Sequence, residues 1–352
     1  MRTNEAVPCE KMRHLEKKTH LLTFRHFLLC PDSTNKELLS LYFFFISVLP
    51  KYFGGVTLRE LVVHMEYSLS AIDSHSDDVL DLVTFLMDEG FLVDAVNCRR
   101  CQGNMELEYF NRNEDGVVWR CRRQDCRRYL SVREGSFFAH SHLSISIQIR
   151  LVILFASEAT VLSSAKLLGV SRRSVTDYFI ECRRMYSAEL VTNPITFAHG
   201  GEYEVDECLI QRIKIAQAAF VPVWVQSILE RRTRRVFLHR IPSRSRPSMV
   251  PPVQLRVPAN SIVYSDEHKS YGNLRHLGCY HATVNHSRGE YQRWGVVGGA
   301  MRNIHINGCE GINSMIRRRL SYKSRRTIEY LDLVLSEIMY RKSGRSLFAP
   351  FK

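Results

Sequence analysis

The chain has 352 residues, of which 45% are apolar and 24% are charged, as in soluble globular proteins long enough for two or three domains. Its 49 lysines and arginines outnumber the 36 aspartates and glutamates by 13, an excess that favours nucleic acid as a partner; the alternative is a basic protein without a nucleic-acid role. The longest apolar run, residues 38–49, contains two serines and is too short to span a bilayer and too far from Met1 to be a signal peptide, so we expect a soluble intracellular protein without membrane contact.

Residues 1–96 are predicted to form a basic arm followed by a helical module. Residues 1–35 are basic and lack a regular apolar pattern. Residues 58–65 and 78–87 repeat apolar side chains every three or four positions, which is typical of amphipathic helices. This part of the chain fits a small helical or winged-helix module and indicates no function.

Residues 97–140 are predicted to form a zinc ribbon. Two segments of β type, 107–110 and 117–120, flank a turn at 113–116. Two closely spaced cysteine pairs, 19 residues apart, suit a structural Zn²⁺ ion held by four thiolates in a reducing compartment. These ligands are Cys98, Cys101, Cys121 and Cys126. Because the second pair is spaced by four residues, His140 and His142 remain alternatives for the fourth ligand.

Seven arginines accompany the cysteines of the ribbon. They form either a solvated rim or a surface that contacts phosphates. These residues are Arg99, Arg100, Arg120, Arg122, Arg123, Arg127 and Arg128.

Residues 141–195 are predicted to be helical and to contain a helix-turn-helix. A long helix covers 143–158, and the next segment places the small Ala165 four residues before Gly169, with Ser171 capping a second helix. An ordinary helical hairpin is the alternative. In a helix-turn-helix, the second helix would present four polar side chains to the major groove of DNA. These are Arg172, Arg173, Ser174 and Thr176.

From residue 196 onward the pattern changes to strands. Segments 202–210, 220–228 and 234–241 predict three strands joined by hairpins, followed by a helix that begins near Met249 and a strand that ends at Asp266. The arginine-rich segment 231–235 is predicted to be a turn, either solvated or facing DNA. Three antiparallel strands, a crossover helix and a further strand are the beginning of a ribonuclease-H-like domain.

Three acids in this region are candidates for metal-dependent phosphoryl transfer. Neighbouring strands bring Asp206 and Asp266 together, and a helix packed on the sheet supplies Glu310. In two-metal catalysis only a few carboxylates bind the ions, because each Mg²⁺ keeps several of its water ligands. Glu204 shares a strand face with Asp206, whereas Glu207 points away. A single aspartate at the end of a strand would more often be a turn residue.

Several motifs in a fixed order give the chain, from about residue 98 to residue 342, a family resemblance. It resembles the Merlin-type DDE transposases and their insertion-sequence relatives with an ISXO-like transposase domain. The motifs are Cys98-x2-Cys101, Trp119-Arg-Cys, Ser131-Val-Arg-Glu-Gly-Ser-Phe-Phe, Glu204-Val-Asp-Glu, Tyr264-Ser-Asp-Glu-His-Lys-Ser-Tyr, Thr283-Val-Asn-His-Ser and His305-Ile-Asn-Gly-Cys-Glu-Gly.

The resemblance implies a multidomain α+β protein whose residues 196–352 form a ribonuclease-H-like α/β catalytic domain with a basic C-terminal helix. Asp206, Asp266 and Glu310 would hold two Mg²⁺ or Mn²⁺ ions. Double-stranded DNA, as element ends and as target, would be the substrate of a homo-oligomer, which we expect in the nucleus of a eukaryote or in the cytoplasm or nucleoid of a bacterium. Further DNA contacts would come from Asn307, Arg317 and Arg318.

The sequence departs from the family pattern near the predicted site. His268 and Asn313 stand where the family usually has tryptophan, and Ala259-Asn260 replaces a glycine before the strand of Asp266. These departures keep two other functions open. One is a domesticated DNA-binding or regulatory protein without catalysis, and the other is a structure-selective nuclease of the same fold.

Overall fold

The computed structural model describes residues 67–214, 220–320 and 327–352. The predicted basic arm (1–35) and the predicted helix at 58–65 lie outside these ranges. Elements are numbered over the described residues.

Two short helices open the described part of the chain, and each begins at a polar cap. The Ser68 hydroxyl accepts a hydrogen bond from the backbone of Ala71, and the Asp78 carboxylate accepts one from Leu80. The second helix confirms the apolar periodicity of 78–87. The bounds are α1 Leu69–Ser74 and α2 Val79–Asp88.

A three-stranded antiparallel sheet follows, and its first two strands confirm the predicted β segments. Residue Leu107 lies opposite Trp119, and the turn between the strands includes Gly116 with φ of 66°, a conformation that favours glycine. The strands are β1 Met105–Tyr109, β2 Val117–Cys121 and β3 Tyr129–Ser131.

Three helices come next, in the region predicted to be helical. Helix α4 ends at Gly169 in the left-handed conformation, and α5 begins after Ser171, whose hydroxyl accepts a hydrogen bond from the backbone of Ser174. The buried side chains at the crossing include Ala165, Val175 and Phe179. The bounds are α3 Ile145–Ala156, α4 Val161–Leu168 and α5 Arg172–Thr192.

A five-stranded mixed sheet has the order β6-β5-β4-β7-β8. Strands β4, β5 and β6 are antiparallel neighbours, whereas β7 runs parallel to β4 and to β8. This is the order that a ribonuclease-H-like domain requires, with hairpins on one side and a crossover to the other. The strands are β4 Glu202–Lys214, β5 Phe220–Glu230, β6 Val236–Ile241, β7 Ile262–Asp266 and β8 Tyr280–Val284.

The crossover helix α6 spans Arg246–Arg256 and begins three residues before the predicted start at Met249. Pro247 lies in its first turn, where a residue without an N–H loses no helical hydrogen bond. Helices α7 (Asn307–Leu320) and α8 (Ile328–Arg341) complete the chain, with Thr327 capping α8. Apolar side chains of α7 and α8 cover one face of the five-stranded sheet, and those of α6 cover the other.

A hairpin between β8 and α7 has no counterpart in the sequence-based expectations. It consists of β9 (Gln292–Val297) and β10 (Ala300–His305). Its inner side chains Val297 and Ile304 pack against Tyr264 of β7 in a small separate core. The hairpin therefore lies against the strand that carries Asp266.

The last residues of the chain do not belong to the core of the five-stranded sheet. Tyr340, Leu347, Phe348 and Phe351 are buried in the core formed by residues 67–186, which includes the three-stranded sheet and helices α1 to α5. The predicted domain over 196–352 stays a prediction in its bounds, and its last residues pack with the core of residues 67–186. The apolar spacing of this tail did not reveal which core it would join.

Candidate active site

Asp206 and Asp266 lie side by side on neighbouring parallel strands. In the pairing of β4 with β7, Glu202 lies opposite Ile262 and Glu204 opposite Tyr264. Continuing this register by two residues places Asp206 beside Asp266, the last residue of β7. Because β4 continues past the end of β7, Asp206 in the interior of β4 lies level with the C-terminal end of β7, where Asp266 stands.

Glu310 lies in the first turn of α7, which packs across the same sheet. The helix start is anchored to β4, because the backbone N–H of Cys309 donates to Glu204 Oε2 at 3.0 Å. His286 Nδ1 lies 3.4 Å from Glu310 Oε1 on the outer side of the site. Sequence reasoning predicted Glu310 but gave no role to His286.

The pKa of Asp206 responds to the charges of both Asp266 and Glu310, so the three acids lie near one another. Burial, followed by the negative charges of Glu207 and Asp266, raises the pKa of Asp206 to about 8. The charge of Glu310 acts in the same direction. Like charges near a buried carboxyl disfavour its ionised form. The structure therefore brings Asp206, Asp266 and Glu310 into one acidic site.

Glu207 points to the opposite face of β4, as alternation along a strand predicts. The Tyr271 hydroxyl donates to Glu207 Oε2 at 2.7 Å, and Arg244 Nε donates to Oε1 at 2.6 Å. The same guanidinium lies 3.9 Å from Asp266 Oδ2. Arg244 thus links Glu207 to one predicted catalytic acid, a role hidden in sequence because it lies in the linker before α6.

The ion pair of Glu204 and Arg231 connects β4 with the hairpin of β9 and β10. Arg231 donates to Glu204 Oε1 at 2.8 Å and to the backbone oxygen of Asn303 at 2.9 Å, and its guanidinium stacks on the Tyr264 ring. The alternatives of a solvated tip and a DNA-facing loop for 231–235 are therefore both wrong for Arg231. Its side chain is half-buried because two carboxylates, those of Glu202 and Glu204, compensate its charge.

Asn313, noted in the sequence only as a replaced tryptophan, contacts the site directly. Its side chain is buried, and Nδ2 donates to Asp206 Oδ2 at 2.7 Å. His268, the other replacement, donates its backbone N–H to Asp266 Oδ1 at 3.0 Å, and its ring accepts a hydrogen bond from the backbone of Ser270. Both residues that replace a tryptophan of the family pattern therefore lie within one hydrogen bond of a predicted catalytic acid.

The predicted DNA-contacting residues of α7 lie on its exposed surface. Asn307, Arg317 and Arg318 are exposed. Arg317 follows Glu310 by two helical turns and shares its side of the helix. Arg319 is different, because it is bound to Glu337 and Glu158.

The acidic site suits a divalent cation in donor chemistry. Oxygen ligands from a few carboxylates are what Mg²⁺ and Mn²⁺ take in proteins. The side chains of Asp266 and Glu310 are 26% and 43% exposed, so solvent reaches the site. Within residues 67–214, 220–320 and 327–352, only one group of three or more potential ligands has all its ligand atoms within 4.8 Å of one another, and it consists of cysteines. The carboxylate oxygens of the three acids are therefore farther apart than 4.8 Å in at least one pair.

The sulfur atoms of the four predicted ribbon cysteines lie close together and form a second candidate metal site. The Sγ atoms of Cys98 and Cys126 are 3.5 Å apart, as are those of Cys101 and Cys121. A tetrahedral zinc site with Zn–S bonds of about 2.3 Å places its sulfurs about 3.8 Å apart. Hydrogen bonds from the backbone of Cys101 and Arg100 lower the pKa of Cys98 to about 6, whereas burial and the neighbouring thiols raise the pKa values of Cys121 and Cys126. Without a metal, the thiolate therefore forms most readily at Cys98.

The four thiols therefore fit zinc without a histidine. His140 and His142 lie outside the cluster. The arginines around it divide into two sets. Arg99, Arg120, Arg122 and Arg123 form ion pairs with carboxylates of the ribbon region, and all of them except Arg120 are nevertheless exposed. The second set, Arg100, Arg127 and Arg128, is exposed as well.

The predicted DNA-contacting residues of helix α5 differ in how available their side chains are to DNA. Arg172 and Arg173 are exposed. The Thr176 hydroxyl donates to the backbone oxygen of Arg172 at 2.6 Å, and the Ser174 hydroxyl lies 2.8 Å from that of Ser171. The two hydroxyl groups are therefore engaged within their own helix, and the arginines are its outward charges. That this helix pair binds DNA stays a prediction.

No helix within the described ranges is both long and apolar enough to cross a membrane.

Comparison with known proteins gives one family match. Residues 200–343 match the family model of the ISXO2-like transposase domain, in agreement with the resemblance seen in the motifs. No curated protein matches the sequence.

Among solved structures, the chain is similar to a chain of the simian T-cell lymphotropic virus intasome in complex with PP2A regulatory subunit B56 gamma, with 10% identity and a TM-score of 0.26. That match covers 53% of this chain and 66% of the other, just under two thirds of its length. A pre-cleavage Mos1 transpososome matches with 10% identity over 85% of this chain and 99% of the other, at a TM-score of 0.17. The Mos1 strand transfer complex matches with 10% identity over 58% and 78%, at a TM-score of 0.17.

Proposed function

We propose that this chain, whose residues 200–343 carry an ISXO2-like transposase domain, is a metal-dependent DNA transposase. The observation that carries the proposal is that Asp206, Asp266 and Glu310 share one acidic site at the C-terminal end of β7 in that domain. The proposed substrate is double-stranded DNA, as terminal inverted repeats and as target, and the acting form is a homo-oligomer that holds two ends.

The three acids would hold two divalent cations. When bound, such cations activate an attacking oxygen, stabilise the leaving oxygen and offset the charge of the phosphate. Asp206 and Asp266 would bind from neighbouring strands and Glu310 from α7. The raised pKa of Asp206 is consistent with a site in which the carboxylates repel one another and a cation relieves the repulsion.

The remaining parts would bind and orient DNA. Arg317, Arg318 and Asn307 line the exposed surface of the helix that carries Glu310 and would contact phosphates or bases. Arg172 and Arg173, with the exposed ribbon arginines, would contact the element ends. Zn²⁺ held by the four cysteines would be structural, and with DNA as substrate we expect the protein in the nucleus, or the nucleoid of a bacterium.

The test uses purified protein with Mg²⁺ or Mn²⁺ and DNA carrying the inverted repeats that flank the gene. We expect cleavage and strand joining by the parent protein and loss of both, by at least about 1000-fold, in Asp206→Ala, Asp266→Ala and Glu310→Ala. Glu267→Ala is the matched control, because this exposed carboxylate neighbours Asp266 in sequence. Undiminished cleavage by Asp206→Ala would exclude the assignment, and DNA binding without cleavage in either metal would favour a regulatory protein derived from a transposase.

A further inference from the structure

We infer that Asn313 is a positioning residue that orients the Asp206 carboxylate toward the metal site, and that Ser227 fixes the direction of its amide. The inference rests on the proposed function, because it assigns to these two residues a part in metal binding by Asp206. Neither residue was singled out for this role by its sequence, where Asn313 marks a departure from the family pattern.

The three side chains come from three different elements and meet in the interior. Ser227 on β5 is the direct antiparallel partner of Asp206 on β4. Asn313 reaches them from α7, one helical turn after Glu310. Asn313 is 3% exposed and Ser227 is fully buried. A polar side chain is retained in such a place only when its hydrogen bonds are made.

The chemistry of the partners determines the direction of the amide. A metal ligand must be ionised, and an ionised carboxylate only accepts hydrogen bonds, so in the metal-binding state the NH₂ group of Asn313 must face Asp206. Nδ2 lies 2.7 Å from Asp206 Oδ2. The amide oxygen then faces Ser227, whose hydroxyl donates to it at 2.9 Å. Without the Ser227 hydroxyl, the buried amide oxygen would lose its donor.

The Asn313 amide and a backbone hydrogen bond from Glu207 take two of the roughly four lone-pair positions of the Asp206 carboxylate, so positions remain for a metal ion. A neutral amide restrains the carboxylate without neutralising it, whereas an arginine or lysine at position 313 would compete with the cation for the same charge. Partners that orient a ligating carboxylate typically contribute 10- to 100-fold to metal affinity. Asn313 thus serves metal binding through Asp206 and does not touch the substrate.

Two variants test the role. Asn313→Leu keeps the branching of the side chain at Cγ but removes donor and acceptor, and Ser227→Ala removes only the hydroxyl that orients the amide. Ile316→Val is the control for a packing change, because Ile316 is buried on the same helix among apolar side chains and offers no hydrogen bond to a carboxylate. Mn²⁺ binding to the zinc-loaded full chain is measured by electron paramagnetic resonance, with Asp206→Ala identifying the ions that belong to the acidic site.

We expect Asn313→Leu to raise the Mn²⁺ dissociation constant of that site about 10-fold or more, and Ser227→Ala to raise it less. Combining the two should add little to Asn313→Leu alone, since both act through one amide. The Mn²⁺ concentration for half-maximal DNA cleavage should rise in parallel. Ile316→Val should lower the melting temperature without changing either metal quantity.

Unchanged Mn²⁺ affinity in folded Asn313→Leu, or in Ser227→Ala if the leucine variant does not fold, overturns the inference and leaves the transposase proposal intact. A loss of affinity in Ile316→Val equal to that in Asn313→Leu overturns it as well, because the effect would then follow packing. If the parent protein binds no Mn²⁺ that depends on Asp206, the proposed metal-dependent function fails and this inference fails with it.

Discussion

Glu204 Oε2 accepts a hydrogen bond of 3.0 Å from the backbone N–H of Cys309, and this contact ties the strand of Asp206 to the helix of Glu310. The other oxygen of Glu204 is held by Arg231. A carboxylate at a helix N-terminus satisfies a backbone N–H that has no partner within the helix, and it also interacts favourably with the helix dipole. Glu310 is therefore placed by Glu204, an acid on the same face of β4 as Asp206 whose two oxygens are held by Cys309 and Arg231.

Gly308 makes this close approach possible. A Cβ atom on Gly308 would lie 2.6 Å from Glu204 Oε2 and would also collide with Leu229. We expect Gly308→Ala to destabilise the protein by about 1–3 kcal/mol and to reduce DNA cleavage about 100-fold by displacing Glu310. Urea unfolding and the cleavage assay measure the two effects.

Gly311→Ala is the matched control on the same helix, because an added Cβ there meets nothing within 4 Å. It should leave cleavage unchanged and stabilise the helix by about 0.5–1 kcal/mol. Equal behaviour of the two alanine variants would show that Glu204 does not fix the helix start.

The charge of Asp206 should make stability depend on pH when no divalent cation is added. Its pKa of about 8, caused by burial and then by Glu207 and Asp266, lies above the unfolded value of about 3.9. The folded state therefore binds more protons between these values, and stability should fall as pH rises from about 4 to 8. Asp206→Asn should remove this loss and raise the free energy of unfolding by about 2 kcal/mol at pH 8, with much less effect at pH 5.

Thermal unfolding of parent and variant across this pH range tests the prediction. Added Mn²⁺ should stabilise the parent protein at pH 8 and leave Asp206→Asn almost unaffected, because a ligand that binds only the folded state stabilises it by an amount that grows with the ratio of free ligand to its dissociation constant. The same pH dependence in parent and variant would rule out Asp206 as its cause.

Removal of one ribbon cysteine should release zinc. We expect Cys101→Ser and Cys126→Ser to lower the zinc content from about one ion per chain toward zero, and to destabilise the fold by several kcal/mol, since Cys98 and Cys121 lie in the core that a zinc ion would hold together. Elemental analysis and melting curves measure both effects. Cys279→Ser, a thiol outside the cluster, is the control; a full zinc content in Cys101→Ser would exclude the four-thiol site.

Glu337 is buried in α8 and anchors arginines from three helices. It binds Arg183 of α5, Arg319 of α7 and Arg341 of α8. Burial alone would raise its pKa, but the three guanidinium groups lower it to about 2. We expect Glu337→Gln to cost about 3–5 kcal/mol, because it leaves buried arginines without their counter-charge.

The depressed pKa also has a pH signature. The contribution of Glu337 is fully present above its unfolded pKa of about 4.3 and is lost as pH falls toward 2, so acid unfolding should occur at a higher pH in Glu337→Gln. The exposed pair of Glu181 and Arg184 gives the comparison: Glu181→Gln should cost less than about 0.5 kcal/mol. If Glu337→Gln and Glu181→Gln lose similar free energies of unfolding, burial is not what makes the Glu337 ion pairs important.

Arg172 and Arg173 allow a test of DNA binding at the helix pair. Each exposed arginine that meets a phosphate should, on replacement by alanine, weaken binding and reduce the slope of log affinity against log salt by about 1. Arg184→Ala, further along α5 and paired with Glu181, should leave the slope unchanged. Fluorescence anisotropy with the end-containing DNA measures affinity and its salt dependence. If the slope of log affinity against log salt is the same for all three variants, α5 does not belong to the DNA interface.

The sequence by itself determined the elements whose signal is local. The strands that end at Asp266 or carry Asp206, the cysteine spacing of the ribbon and the Gly169 turn follow from alternation, ligand spacing and backbone conformation, all of which act over a few residues. The acids could be named because several motifs occur in a fixed order, and the sheet order that joins them follows from rules of chain connection.

Only the tertiary structure decided the contacts between elements distant along the chain. It turned Arg231 inward to Glu204, placed Asn313 against Asp206, and buried Phe348 and Phe351 in the core of the first half. No local pattern encodes these outcomes, because a buried charge or amide is stable only where a complementary partner from another element meets it. Around Asp206 that partner is Asn313, the residue that the sequence alone marked as a mismatch.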